Sequence, residues 1–437
     1  MPDPRTRRSA RCPRPAWWPA RLLLVALLVA LGCVSPPQQA AQRAGVRRAA
    51  GALAALPPLV TGVGTRNLQH CAQSFEPGRD YFPDRFEPHW ARGFSVRYEG
   101  NVKWLAVRPQ AGGPELRYAL VQCGTPPPEN LGGALVIPVP VASLITLSTT
   151  ELAAVDLLGL VDRLLAHGTF AYVSSPAVRA RIQAGAMFEA GAGAGLDIER
   201  IIAAHTGLLL ADTYGDPELD AGGRLATLEA AGVPVVAVPS YRETAPLGRA
   251  EWLGFVSLFA NREARARAIF ARVEKRYQAL AARGRAAEPK PLAITGAPVG
   301  DTWHVPGGRS FMATLLADAG FAYPWSDDRH TGSLALAFEA VWQRALRADW
   351  WLHPSGWRSR REIVAADARL AALPALAAGK VAVNDARLGS GGGNDYWESG
   401  TLRPDLVLAD LLALAHPDLL PAHHLVYHRR LAQAAAP

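Results

Sequence analysis

From about Leu144 onward, short runs of uninterrupted apolar residues alternate with amphipathic stretches, and this alternation fails once, over residues 246–285. Ile145-Thr-Leu147, Phe170-Ala-Tyr-Val173, Leu208-Leu-Leu-Ala211 and Val235–Val238 read as buried strands, with helices over Thr150–Leu158, Asp197–Ala204 and Leu219–Ala231. Strands without polar alternation are covered on both faces, as in a parallel sheet flanked by helices. Within 246–285, Pro246 sits where a helix can begin, and Trp252, Phe255, Val256 and Phe259 recur at helical spacing. Asn261 interrupts, and Ile269, Val273 and Tyr277 mark a second amphipathic helix. The rhythm then resumes with strands at Leu292–Thr295, Asp349–Leu352 and Val381–Val383, and helices starting near Ser310, Leu336 and Pro404. The expected fold is α/β: two Rossmann-like lobes joined by a long linking helix. Ahead of them, period-two alternation over Phe94–Tyr98, Val102–Val107 and Leu116–Gln122, turned at Glu99-Gly100-Asn101, predicts a small N-terminal β meander.

Residues 1–21 carry six arginines against one acid, so most of the chain's formal charge of +8 sits in a leader. A body that binds nucleic acid needs a clustered basic face, and the body lacks that excess, so no nucleic-acid partner is expected. The apolar run Leu22–Leu31 is shorter than the ~20 residues that cross a bilayer, and Gly32-Cys33 follows it. This pattern reads as a lipoprotein-type signal over 1–33 with Cys33 as the lipidation site. An uncleaved anchor, or an ordinary signal with an incidental cysteine, is the alternative. The expected location is periplasmic or extracytoplasmic, with lipid holding the chain to the membrane. Residues 34–70 read as a tether, 71–132 as the region of the meander, 133–245 as the N-terminal lobe, 246–261 as the linking helix and 262–437 as the C-terminal lobe. With Cys12 in the leader and Cys33 lipidated, Cys71 and Cys123 remain. An oxidising compartment would pair them in a disulfide; two buried thiols are the alternative.

Several function classes lack their signatures. There is no G-x-S-x-G elbow, no H-E-x-x-H and no C-x-x-C pair, so neither an enzyme nor a cysteine-rich zinc site is expected. Gly389–Gly393 and Gly191–Gly195 lack the context of phosphate or dinucleotide loops and read as flexible loops. A receptor for free zinc or manganese needs three or four converging His and carboxylate ligands. His304, His330 and His353 all fall in the second lobe, and no first-lobe strand end carries a His.

Tyr118-Ala-Leu-Val-Gln-Cys-Gly-Thr125, Leu147-Ser-Thr-Thr-Glu151, Thr244-Ala-Pro-Leu-Gly-Arg-Ala-Glu-Trp252, Gly393-Asn-Asp-Tyr-Trp-Glu-Ser-Gly400 and Asp405-Leu-Val-Leu-Ala-Asp-Leu411, taken together, resemble class III substrate-binding proteins of ABC importers, in particular the iron-complex branch. The resemblance covers about residues 70–430. It implies a monomeric receptor, without catalytic residues, resident metal or cofactor, that captures a ferric siderophore or similar iron chelate and delivers it to a permease dimer. A cobalamin or haem receptor of the same class is the alternative. Ligand would lie in the interlobe cleft at the carboxyl ends of the strands, where open α/β sheets generally place ligands. The polar and aromatic residues at those ends are the candidates: Ser148, Thr149, Thr150, Tyr214, Tyr241 and Arg242 in the first lobe, and Trp303, Arg309, Trp325, Trp357, Arg387 and Trp397 in the second. Aromatics would stack on a bulky chelate and arginines pair with an anionic one. The resemblance also implies one glutamate per lobe docking on permease arginines. Glu199 and Glu339 occupy matching places in a helix-to-strand unit; complementing their helix N-termini is the alternative role.

Overall fold

In the computed structural model, which describes Leu56, Leu59, Val60 and residues 62–109, 113–213, 223–354 and 356–432, the period-two segment folds as read. Strands β1 (Phe94–Glu99), β2 (Val102–Val107) and β3 (Leu116–Gln122) form an antiparallel meander. A fourth strand, β4 (Leu135–Val139), pairs parallel to β3 and was not anticipated. It carries Pro138, which cannot donate to a ladder and is tolerated here on an edge strand. A disulfide joins Cys71 to Cys123 just beyond β3. The leader, Cys33 and most of the tether lie outside the described residues.

The first lobe alternates β5 (Leu144–Thr146), α1 (Thr149–Leu157), β6 (Leu164–His167), α2 (Pro176–Gln183), β7 (Phe188–Glu189), α3 (Ile198–Ala203), β8 (Leu209–Ala211), α4 (Arg224–Ala230) and β9 (Val235–Ala237). All five strands are parallel in the order β7-β6-β5-β8-β9. The winding therefore reverses between β5 and β8, and the carboxyl ends of these strands open a crevice. The strand expected at Phe170–Val173 is instead a 3-10 turn over Phe170–Tyr172, where Tyr172 is exposed; Leu164–His167, buried at Leu164 and Ala166, supplies the strand.

Two helices form the link. In α5 (Pro246–Leu258) every residue except Arg249 is buried. Trp252, Leu253, Phe255, Val256 and Leu258 join the core of the first lobe, while Leu247 and Ala250 join that of the second. Asn261, in left-handed backbone at φ 56°, separates α5 from α6 (Glu263–Ala286). Its side chain is held by Lys103 of β2, whose ammonium also meets Leu258 O at 2.6 Å and the Glu263 carboxylate. A fully buried ion pair thus clamps the meander to the break between the helices.

The second lobe contains β10 (Ala293–Thr295), β11 (Pro298–Val299), β12 (Thr302–Pro306), α7 (Phe311–Asp318), β13 (Ser333–Ala337), α8 (Phe338–Ala345), β14 (Trp350–Leu352), α9 (Arg360–Ala366), α10 (Pro374–Ala377), β15 (Val381–Val383), α11 (Ser399–Leu402), α12 (Pro404–Ala415) and β16 (Arg429–Arg430). Strands β10, β14 and β15 are parallel, with β16 antiparallel at the edge. Strands β11, β12 and β13 form a separate antiparallel sheet that the sequence reading missed. Leu336, expected at a helix start, lies in β13, and α8 begins two residues later. Among the described residues no helix is long and apolar enough to cross a membrane.

The lobes also meet away from the link. Gly391 and Gly393, read as flexible, lie directly on the first-lobe backbone: a Cβ on Gly393 would stand 2.0 Å from Tyr172 O, and one on Gly391 2.2 Å from Ala171 O. Beside them the buried Glu398 carboxylate accepts the N–H groups of Ser174 (2.6 Å) and Ser175 (2.7 Å).

Candidate ligand-binding cleft

Alternation along β12 turns Trp303 and Val305 inward and His304 outward, and the outward face borders a cavity of about 920 Å³ between the lobes. The first lobe and its meander contribute Arg92, Arg108, Tyr241, Arg242 and Glu243; the link contributes Arg249; the second lobe contributes His304, Phe311, His353 and Trp397. Among the lining residues, four arginines face one carboxylate.

That carboxylate is occupied. Glu243 accepts the N–H groups of Arg92 (2.8 Å) and Gly93 (2.9 Å) and the indole N–H of Trp252 (3.0 Å). Glu251, within α5, accepts the N–H groups of His89, Trp90 and Ala91. These two acids are sockets for the 89–93 backbone, and they place Arg92 at the rim; Arg108, whose N–H bonds Gly93 O, follows. Arg249 donates from Nη2 to Tyr241 O at 2.5 Å, and its guanidinium lies 4.1 Å from the Phe311 ring centre. Its buried Nε has no partner among the described residues. Burial lowers the Arg249 pKa while Tyr396 and Glu243 raise it; an arginine remains charged throughout.

A second cavity, of about 460 Å³, opens at the crevice between β5 and β8, lined by Ser148, Thr149, His167, Tyr172, Asp212 and Trp397 among others. Trp397, 48% exposed, borders both cavities. Burial pushes His167 down to about 4, with Thr146 opposing, so this imidazole is neutral at neutral pH. Burial also raises Asp212.

Of the twelve ligand candidates, Tyr241, Arg242 and Trp397 reach the larger cavity, while Ser148, Thr149 and again Trp397 reach the smaller. Thr150 hydrogen-bonds Ser148 and lines neither. Trp303 is corrected outright: it is fully buried in the second-lobe core, its indole N–H donating to Thr295 O at 3.1 Å. Arg309 is exposed outside the cavity lining. Trp325 packs edge-on to Tyr323, and Trp357 edge-on to Trp351. Arg387 pairs with Asp395 at 2.6 Å, beside Glu398 rather than in the cleft. Tyr214 lies outside the described residues. Glu199 and Glu339 are both exposed, each the second residue of its helix. The sequence reading missed Arg92, Arg108, Glu243 and Arg249 as cavity residues, while His304 and His353 lie at second-lobe strand ends without having been chosen as site residues. Arg249 stood inside Thr244–Trp252, and His304 was legible from the alternation Trp303-His304-Val305.

The sequence pattern of the periplasmic binding protein family matches residues 144–388, more than half of the chain. The chain belongs to this family. The binding protein is 25% identical over 301 residues to an uncharacterized lipoprotein of Methanocaldococcus jannaschii, covering 66% of this chain and 69% of the relative. The crystal structure of a periplasmic binding protein from Veillonella parvula superposes with a TM-score of 0.50 at 11% identity, over 74% of this chain and 98% of that one. A possible iron-binding, periplasmic solute-binding protein from Staphylococcus epidermidis gives 0.49 at 16% identity, over 63% and 99%. The two-lobed α/β fold and the reading as a substrate-binding protein, not an enzyme, are borne out. Among the described residues of the binding protein, no group of three or more His, Cys, Asp or Glu side chains could hold a metal ion.

Proposed function

We propose that the binding protein captures an anionic ferric chelate of the siderophore type between its lobes and delivers it to the permease of an ABC importer. The observation that carries this reading is the charge of the larger cavity: its lining holds Arg92, Arg108, Arg242 and Arg249 against one carboxylate, Glu243, already engaged by three N–H donors, with Arg108 also paired to Glu115 at 3.2 Å outside the lining. Guanidinium groups in a partly desolvated cleft favour an anion and bind oxyanions bidentately. A cavity of about 920 Å³ lies within the ~300–1,000 Å³ range of small-molecule sites. Phe311 and Trp397 add apolar faces on which a bulky ligand can lie.

Calorimetry with a ferric catecholate, a ferric hydroxamate, haem and cobalamin tests this reading. The anionic ferric catecholate is expected to bind tightest, and Arg242→Ala with Arg249→Ala to weaken it at least about tenfold, or ~1.4 kcal/mol. Tighter binding of cobalamin or haem, or equal affinity in the double variant, would overturn it. The same proposal includes membrane attachment as a monomer, through acylated Cys33 carrying two or more acyl chains, since one chain anchors only marginally. It also includes docking on permease arginines through Glu199 and Glu339; both are exposed at the second position of helices that lead into β8 and β14, one in each lobe.

A further inference from the structure

The helix that follows the link carries charge that neither ligand capture nor permease docking uses. Over Glu263–Ala286, α6 holds six arginines and Lys275 against two acids. Both acids are engaged: Glu263 is wholly buried against Lys103, and the half-buried Glu274 accepts the indole N–H of Trp90 at 2.7 Å. The inner face, with Ile269, Phe270, Val273, Tyr277 and Leu280, is packed into the body. On a helical projection the outer face is a strip of exposed alanines, Ala271, Ala279, Ala282 and Ala286, with Lys275 among them and arginines along both sides.

The carboxylates beneath those arginines do not cancel them. Asp84 is shared between Arg66 and Arg267, and Asp405 between Arg403 and Arg276; Arg285 alone has an undivided carboxylate, Asp318 at 3.0 Å. These acids lie low in the surface, whereas Arg267 and Arg285 stay 54% and 62% exposed. Arg265 and Arg272 donate to carbonyl oxygens, Leu157 O at 2.7 Å and Leu59 O at 2.5 Å, and Arg283 donates to Leu419 O. Among the described residues these three charges meet no carboxylate.

The chain that leads from Cys33 ends on the same helix. Leu59, whose carbonyl takes the Arg272 bond, packs in one core with Ile269 and Val273, while Leu56 packs against the core of the second lobe. Between Cys33 and Glu76 the sequence has four arginines, Arg43, Arg47, Arg48 and Arg66, and no acid. Even fully extended, residues 34–55 span less than ~80 Å. An acylated Cys33 would therefore hold α6 beside the bilayer and raise the local concentration of headgroups around it.

Resting on the reading of the chain as a lipid-anchored receptor, we propose that the outer face of α6 lies on the anionic headgroups of that bilayer. Guanidinium groups match phosphate oxygens bidentately, and each cation close to a negatively charged membrane surface adds to the attraction. A second copy of the chain is a poor occupant, because it would bring cation against cation. Lipid and helix together give two points of attachment, which fix the side of the body that faces the membrane.

The full chain carrying Cys33→Ser, which removes the anchor and keeps the face, would be sedimented with vesicles of phosphatidylglycerol and phosphatidylcholine in equal parts, and with vesicles of phosphatidylcholine alone. It is expected to bind the anionic vesicles only, and to leave them at high salt. Adding Arg272→Gln, Lys275→Gln and Arg283→Gln should weaken this binding at least about tenfold. Ala279→Glu with Ala282→Glu removes no side-chain bond and should do the same. Arg329→Gln with Arg347→Gln and Arg361→Gln, at exposed arginines elsewhere, should change it less than twofold. None of these sets should alter chelate affinity. No preference for the anionic vesicles, undiminished binding by the Ala279→Glu, Ala282→Glu chain, or an equal loss with the control arginines would overturn the inference; binding through the leader's arginines would show as the second of these. Self-association that the α6 substitutions abolish would assign the face to a second copy and overturn it likewise. Each of these results leaves the anchor standing, because release of the Cys33→Ser chain from cell membranes tests that separately.

Discussion

Removing the Glu398 carboxylate should loosen the contact between the lobes by a predictable amount. The side chain is buried and receives two N–H groups of the opposite lobe, from Ser174 and Ser175. Stranding a buried donor costs about 1–3 kcal/mol, so Glu398→Ala is expected to cost about 2–6 kcal/mol. That is a large share of the ~5–15 kcal/mol by which proteins of ordinary stability stay folded. Glu398→Gln keeps one acceptor oxygen and should lose about 1–3 kcal/mol. Urea unfolding measures both, read as a fall in midpoint at constant slope. Burial is the largest influence on this carboxyl and, with Asp395 and Asp156 adding to it, pushes it up to about 8 against the Ser174 and Ser175 N–H groups, from an ordinary 4.5. The folded state therefore holds the proton more tightly than the unfolded chain. The associated stability is fully present below about pH 4.5 and is lost as pH rises through 8. Gln cannot ionise, so its own contribution stays flat with pH; the advantage of wild type over Glu398→Gln should be greatest at the acid end, then fall and reverse as pH rises towards 8. A loss under about 1 kcal/mol for Glu398→Ala would refute the clasp. A wild-type advantage that stays constant or grows with pH would refute the protonation.

Trp303→Ala, which empties a core site, should cost about 3–5 kcal/mol of stability, whereas Trp397→Ala should cost little stability and weaken the ferric catecholate about tenfold; paired unfolding and binding titrations separate the two. Lys103→Met strands the buried Glu263 charge and should cost about 3–5 kcal/mol, and adding Glu263→Leu should recover much of it, as chemical denaturation would measure. Glu199→Ala with Glu339→Ala should leave chelate affinity unchanged and abolish ligand-stimulated ATP hydrolysis by the reconstituted importer; full stimulation, or lost binding, would count against docking. The docking effect should also fade with salt, as exposed charge pairs do.

The fold was legible where periodicity is strong, and it failed where local pattern and burial disagree. The five-strand lobe, the helix start at Pro246 and the break at Asn261 follow from apolar runs, a proline at a first turn and an interrupting asparagine. The strand over Leu135–Val139 was masked by Pro138, and Phe170–Val173 imitates a strand although its second aromatic faces solvent. In the cleft, loop aromatics were overvalued. Trp303 sits in a strand, and an alternating strand buries every second residue whatever its chemistry. Arg92 and Glu243 were illegible because their roles arise from contacts between segments far apart in the chain, such as Glu243 with the 92–93 backbone. The glycines at 391 and 393 looked like slack; they are small because another backbone occupies the space a side chain would need.

The burial of α5 has a consequence for how the molecule comes apart. A helix with apolar contacts all round has no solvent side, and its residues are divided between the cores of both lobes. Neither half can therefore be cut out at the link without leaving a raw hydrophobic face on one piece and a hole in the other. The two lobes should melt as one cooperative unit, with calorimetric and van't Hoff enthalpies in agreement, and not as two independent domains. Any partner that prises the cleft open must then act against the same packing that keeps the whole chain folded.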